Sequence, residues 1–185
     1  MTDLSRRQFL AASGSAAAAI WLAAESRDLL AAGIHAAQAS RFEVLSAADA
    51  ADIEAAAAQI IPTDATPGAR EARVVYFIDK ALATFAKDQR PAFEKAAKEL
   101  RARAAKAQKG AKSFAALSST EQIAVLTALE KEKPEIFGPL RFGTVAGMLS
   151  NPEYGGNYNK TGWKMIGFVD QFSWSAPFGW YDHNA

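Results

Sequence analysis

Asp64 and Asp79 are the two carboxylates whose settings invite an acid–base reading. Asp64 lies in a turn-rich stretch and Asp79 on a helix face followed by Lys80. A converging carboxylate pair can shuttle protons, but these surroundings favour plainer roles, a capping aspartate and a solvated or salt-bridged one. Histidine is nearly absent. His35 lies in a segment argued below to be removed, and His183 sits two residues from the C-terminus, whereas a metal site needs several converging ligands. The absence of cysteine excludes disulfides, thiolate-bound zinc, iron–sulfur ligation, covalently attached haem and a cysteine nucleophile. No dinucleotide-binding glycine fingerprint is present. Gly68, ahead of a predicted helix, could set an anion at that helix N-terminus, but a lone glycine is a weak signal. The sequence thus predicts no catalytic residue, no cofactor-binding residue and no metal ligand in this chain.

The N-terminus carries an address instead. Ser5-Arg6-Arg7-Gln8-Phe9-Leu10 leads into an apolar, alanine-rich run through Ala24. Paired arginines, Phe9 two positions later and then Leu10 match a twin-arginine export signal, with Ala11 where lysine is usual. The run of about 16 residues is shorter than a comfortable membrane span. Ala37-Gln38-Ala39 offers a small-x-small cleavage pattern, which makes residues 1–39 a signal peptide and Ser40 the mature start. That route moves folded proteins, usually because a cofactor is inserted first. With no cofactor motif here, the cofactor is expected in a partner carried across with this chain.

The elements that must position everything else read as helical. Half of the residues are hydrophobic, and alanine, which favours helix and buries little surface, inflates that share. The formal net charge is +1, from 21 basic and 20 acidic residues. So even a balance holds no polyphosphate, and nucleic acid is not expected as a partner. Ser46 with Asp49 reads as a capping box, opening a helix with Ile53, Ala56, Ala57, Ile60 and Ile61 at helical spacing until Pro62. A second helix is predicted from Ala69, with Val74, Ile78, Leu82 and Phe85 on one stripe. Pro91 suits the first turn of a third, with Phe93, Ala97 and Leu100 inward. Residues 106–113 read as a solvated basic loop. Ser118 and Glu121 cap a fourth helix through Ile123, Leu126 and Leu129, and Pro134 starts a shorter, glycine-punctuated one through Phe137, Leu140, Val145 and Leu149. The expectation is a mainly α fold of about four to six helices over residues 40–150, followed by an irregular aromatic-rich segment, 151–185.

That last segment holds nine of the nineteen aromatics and only five Asp, Glu, Lys or Arg residues. Four alanine-rich helices cannot easily bury so many rings. Aromatics on irregular backbone are typical interface anchors, so Tyr154, Tyr158, Trp163, Phe172, Trp174, Phe178, Trp180 and Tyr181 are the candidate partner-binding residues. Trp163 and Phe168, inside a glycine-framed motif, are expected to be the more buried rings, and Trp174, Phe178, Trp180 and Tyr181 the exposed ones. Tyr154-Gly155-Gly156-Asn157 reads equally as a rigid presenting loop and as a self-packing turn, since its glycines allow positive φ and Asn157 can bond its own loop.

Three segments together carry a family resemblance. They are Ile60-Ile61-Pro62-Thr63-Asp64 with Pro67-Gly68-Ala69, then Phe77-Ile78-Asp79, and finally the string from Gly147 to Asn157 running into Gly162-Trp163-Lys164-Met165-Ile166-Gly167-Phe168. From about Leu45 to Phe168 the chain resembles the small subunit of membrane-bound gluconate 2-dehydrogenase, the subunit 3 family. The resemblance implies a partner, a large FAD-binding subunit of the glucose–methanol–choline oxidoreductase type, often with a multihaem cytochrome c as third subunit. The large subunit typically has no signal of its own and is exported with the small one. The implied location is the periplasm, with any membrane association made through the complex. No catalytic residue is carried over.

Two other functions compete with this accessory role. One is a stand-alone periplasmic carbohydrate-binding module that stacks sugars on Trp163 or Tyr154, although polar side chains to fix the hydroxyls are sparse. The other is a small carboxylate hydrolase, against which the scarcity of histidine weighs.

Overall fold

The computed structural model describes residues 42–171. Among the described residues there is no strand, and no helix is long and apolar enough to cross a membrane. α1 (Ala47–Ile60) starts at Ser46, whose hydroxyl accepts the Asp49 amide at 3.1 Å. Asp49 returns the bond through the Ser46 hydroxyl, at 2.7 Å, instead of its backbone. Ile53, Ala56 and Ala57 face the core as expected, while Ile60 and Ile61 pack at its margin.

α2 (Val74–Ala83) begins later than the predicted Ala69. The turn before it explains the delay. The Ala69 amide donates to the Ile61 carbonyl at 2.9 Å, and the Gly68 backbone lies so close that a Cβ there would stand 2.6 Å from the Pro62 carbonyl carbon. Arg73 then takes a left-handed φ of 55° before the helix can start. Val74, Ile78 and Leu82 form the buried stripe, but Phe85 falls beyond the helix end and is 61% exposed.

α3 (Arg90–Ala107) carries Pro91 in its first turn and buries Phe93, Ala97 and Leu100, as expected. α4 (Ser119–Glu132) has the full reciprocal capping box between Ser118 and Glu121. Leu126 and Leu129 are buried, whereas Ile123 points outward and Gln122 and Val125 take the inner positions. α5 (Pro134–Leu149) is not the short helix expected: it runs 16 residues through Pro139 and three glycines. Phe137 and Leu140 are buried, but Val145 and Leu149 are exposed. Two 3₁₀ turns, Pro152–Tyr154 and Tyr158–Lys160, lead to the five-residue α6 (Thr161–Met165).

α5 packs against α1, α2, α3 and α4. Its approach to α2 is close because Gly143 and Gly147 face the neighbour: a Cβ on either would stand 3.0 Å from Phe93 or Val74. Buried alanines, Ala56 on α1 and Ala96 and Ala104 on α3, let the other helices draw in around Ile53, Ile78, Leu100 and Leu140. Charges tie the outside together. Arg101 of α3 binds Asp49 at 2.6 Å and the fully buried Asp52 at 3.2 Å, both on α1. The remaining Asp52 oxygen accepts the Ala115 amide at 3.0 Å. Glu99 binds Lys133 and Arg103, each at 2.9 Å, joining α3 to the α4–α5 junction.

Asp79 is neither solvated nor salt-bridged, contrary to the sequence expectation. It is 5% exposed, and its carboxylate accepts the amides of Glu43, Val44 and Leu45 at 2.7, 3.0 and 2.8 Å. Phe42 completes the attachment by stacking on Tyr76, with centroids 5.2 Å apart. Asp64, as expected, serves its own turn, accepting the Thr66 amide and hydroxyl.

Two predictions follow from this arrangement. Hydrogen bonds to a charged acceptor each contribute about 1.5–3 kcal/mol, and amides stranded without one cost more. Asp79→Ala should therefore lower the urea-derived stability of the chain by about 3 kcal/mol or more. Asp64→Ala should leave the unfolding midpoint unchanged, and equal effects at the two positions would refute the clamp. The second concerns acid. The Lys133 ammonium bonded to Glu99, with help from Arg103, holds the Glu99 carboxyl below its ordinary value of 4.5. A depressed folded value means the stabilisation is complete above the ordinary value and lost as pH falls through the lowered one. The thermal midpoint should accordingly drop as pH falls below that ordinary value of 4.5, and less steeply in Glu99→Gln.

Candidate partner-binding site

The chain beyond α5 is built from close backbone contacts. Asn151 accepts the Glu153 amide through its side chain, starting the Pro152–Tyr154 turn, and Gly155 leaves that turn at φ 94°. Gly156 lies against the Gly147 carbonyl of α5, and Gly162 against the Met148 carbonyl, so closely that neither position has room for a Cβ. Asn157 sits between them, fully buried, at φ 46°. Its amide nitrogen donates to the Ser150 carbonyl at 2.8 Å, and its side-chain oxygen accepts the Gly162 amide at 2.8 Å. Its backbone amide donates to the Gly147 carbonyl, also at 2.8 Å. Asn159 and Lys160 take positive φ as well, conformations that non-glycine residues keep only where surrounding contacts impose them.

This corner sets three of the sequence-predicted anchors. Tyr154 is 46% exposed and meets the edge of Phe85, with centroids 5.6 Å apart. Tyr158 is half-buried, its ring 3.7 Å beneath the guanidinium of Arg73, the left-handed residue before α2, in a cation–π contact. Trp163 is half-buried, and its indole N–H donates to the Leu149 carbonyl at 2.7 Å. Phe168, expected among the more buried rings, packs on Trp163 at 5.0 Å yet is 43% exposed, as it follows the end of α6. Phe172, Trp174, Phe178, Trp180 and Tyr181 lie outside the described residues, as do Arg6, Arg7, Phe9 and Leu10, the residues expected to form an export signal.

The described carboxylates with the deepest burial, Asp52 and Asp79, are bonded to backbone amides and arginine. Among the described residues no group of three or more His, Cys, Asp or Glu is placed to hold a metal ion. Around this corner the surface presents apolar side chains. Sequence reasoning missed Phe85, Phe142 and Val145, which are exposed at 61%, 76% and 44%. For Phe142 and Val145 the available signal is an uncharged stretch from Phe142 to Pro152, whose helical spacing reads equally as core; Phe85 has no comparable signal.

The glycine-framed corner, half-exposed aromatics and outward apolar residues all fall within one matched region: the family model described as Gluconate 2-dehydrogenase subunit 3 covers residues 47–170. The chain belongs to the gluconate 2-dehydrogenase subunit 3 family. No curated protein and no solved structure matches it. Membership makes the chain an accessory subunit of a dehydrogenase complex, and the match covers nearly the stretch marked out by the Ile-Ile-Pro, Phe-Ile-Asp and Tyr-Gly-Gly-Asn segments.

Because Asn157 satisfies two backbone groups from a fully buried position, Asn157→Ala should cost about 2–4 kcal/mol in chemical denaturation. Fluorescence of Trp163 should report the loss as a looser, more solvent-quenched indole. A change under about 0.5 kcal/mol would mean the corner stands without its amide.

Proposed function

We propose that this chain is the non-catalytic small subunit of a periplasmic, FAD-dependent sugar or polyol dehydrogenase complex, and that it escorts and stabilises the large flavoprotein subunit. The observation that carries the reading is the family match across residues 47–170. Several features support it. The N-terminal Arg6-Arg7-Gln8-Phe9-Leu10 run has the form of a twin-arginine leader, the route for proteins already folded around a cofactor. This chain offers no dinucleotide fingerprint, and its buried carboxylates are spent on backbone amides and Arg101. Flavin, and haem c where a third subunit is present, belong to the partners. The small subunit contributes the leader, a rigid helical body and aromatic anchors: Tyr154, Tyr158 and Trp163 on the glycine-framed corner, and Phe172, Trp174, Phe178, Trp180 and Tyr181 beyond it. The flavoprotein is of the glucose–methanol–choline type and is carried to the periplasm on this chain's signal.

Replacing Arg6 and Arg7 with lysine tests the shared address. Dye-linked dehydrogenase activity should move from the periplasmic to the cytoplasmic fraction along with the small subunit. Periplasmic activity at wild-type levels would show that the flavoprotein travels independently.

A further inference from the structure

Phe142 is 76% exposed, and Phe85 is 61% exposed. Between them lies a cleft of 360 Å³ walled by Phe77, Ile78, Phe85, Phe93, Pro139 and Phe142, with Gln89 as its single polar side chain. A shallower concavity shares Phe77 and Phe85 and runs past Ala146 and Leu149 to Tyr154. From Leu149 the surface continues through the bonded Trp163 to Met165, Ile166 and Val169, exposed at 42%, 57% and 61%. These side chains make an apolar band along α5 and past α6, interrupted by the exposed Lys164. It carries no charged residue between Phe142 and Pro152, whereas α3 bears Arg90, Glu94, Lys95, Lys98 and Glu99 in its first three turns. Exposed apolar bands of this extent mark interaction surfaces.

The geometry points to the α2–α5 cleft as a socket for an apolar side chain, of the phenylalanine, leucine or methionine kind, projected by the flavoprotein subunit, with the band from Phe142 to Val169 continuing the same interface. This rests on the accessory-subunit reading above. Three observations favour this occupant. The chain is a subunit of a multisubunit complex, so part of its surface is closed by other chains. Its α5 part, from Phe142 to Leu149, is uncharged, which matches the depleted charge and apolar core of obligate interfaces. The band also ends at Val169, close in sequence to the aromatic-rich residues 172–185, which the proposed function assigns to the same subunit. An aromatic or aliphatic knob in an apolar pocket is the usual form of an interface hot spot.

The experiment uses the full chain co-expressed with its flavoprotein. Phe142→Asp puts a charge at the rim of the socket without touching a buried side chain. Its circular dichroism and thermal midpoint should match wild type, while the flavin recovered with the tagged small subunit falls about tenfold or more. A photoreactive benzoylphenylalanine placed at position 142 should cross-link to the large subunit. Cross-linking to residues 172–185 of the same chain, or to a second copy, would overturn the assignment, as would undiminished flavin recovery by Phe142→Asp. If the wild-type chain itself recovers no flavin, the accessory reading falls together with the socket. Recovery by both wild type and variant removes the socket alone.

Discussion

The side-chain amide of Asn157 is the tie on which the far end of the molecule depends. It is fully buried, and it satisfies the Ser150 carbonyl and the Gly162 amide together. Buried polar groups are costly unless paired, so this residue can sit here only if the α5 terminus and the α6 start both come to it. Gly156 and Gly162 make that approach feasible by removing the Cβ atoms that would strike the Gly147 and Met148 carbonyls. Trp163 is then carried into reach of the Leu149 carbonyl. The apolar band along α5 and α6 is therefore placed by a hydrogen-bonded backbone corner, and apolar packing only finishes it.

The rest of the fold uses the same device of polar groups bonded to backbone inside thin, alanine-rich packing. Alanines and glycines let helices approach but bury little surface each. Specificity comes from Asp52, bound by Arg101 and the Ala115 amide, and from Gln122, which donates to the Leu117 carbonyl at 3.1 Å and accepts from Gln59 at 2.8 Å. Among the described residues no buried side-chain nitrogen or oxygen lacks a hydrogen-bond partner. A fully satisfied polar set of this kind helps to fix one arrangement of helices whose apolar faces alone are small.

Local signals were legible in the sequence and long-range ones were not. Ser118 with Glu121, and Pro91 in a first turn, were read correctly because a cap is decided by residues three apart. The start of α2 was misplaced by five residues because Gly68 is held by the Ile61–Pro62 backbone, a contact made across a turn. Asp79 was misjudged because its partners are backbone amides 34 to 36 positions away, which leave no mark in side-chain pattern. Ile123, Val145 and Leu149 sit on helical stripes yet face outward. Periodicity locates an apolar face, but which chain covers that face is a property of the assembly. The aromatic anchors were recognisable by type and by their irregular setting, whereas Phe142 and Phe85 hid inside ordinary helical spacing.

The Asp79 clamp also decides how the molecule bears load. Its three amides, on consecutive residues Glu43, Val44 and Leu45, converge on one carboxylate in the middle of α2. A pull applied from the N-terminal side therefore reaches α2 before it reaches the first turn of α1. The pull must open the bonds of Glu43, Val44 and Leu45 before it can reach α1, so α1 is shielded from being peeled away from its exposed end. Whatever tugs on the residues ahead of Phe42 grips the helical body by its centre.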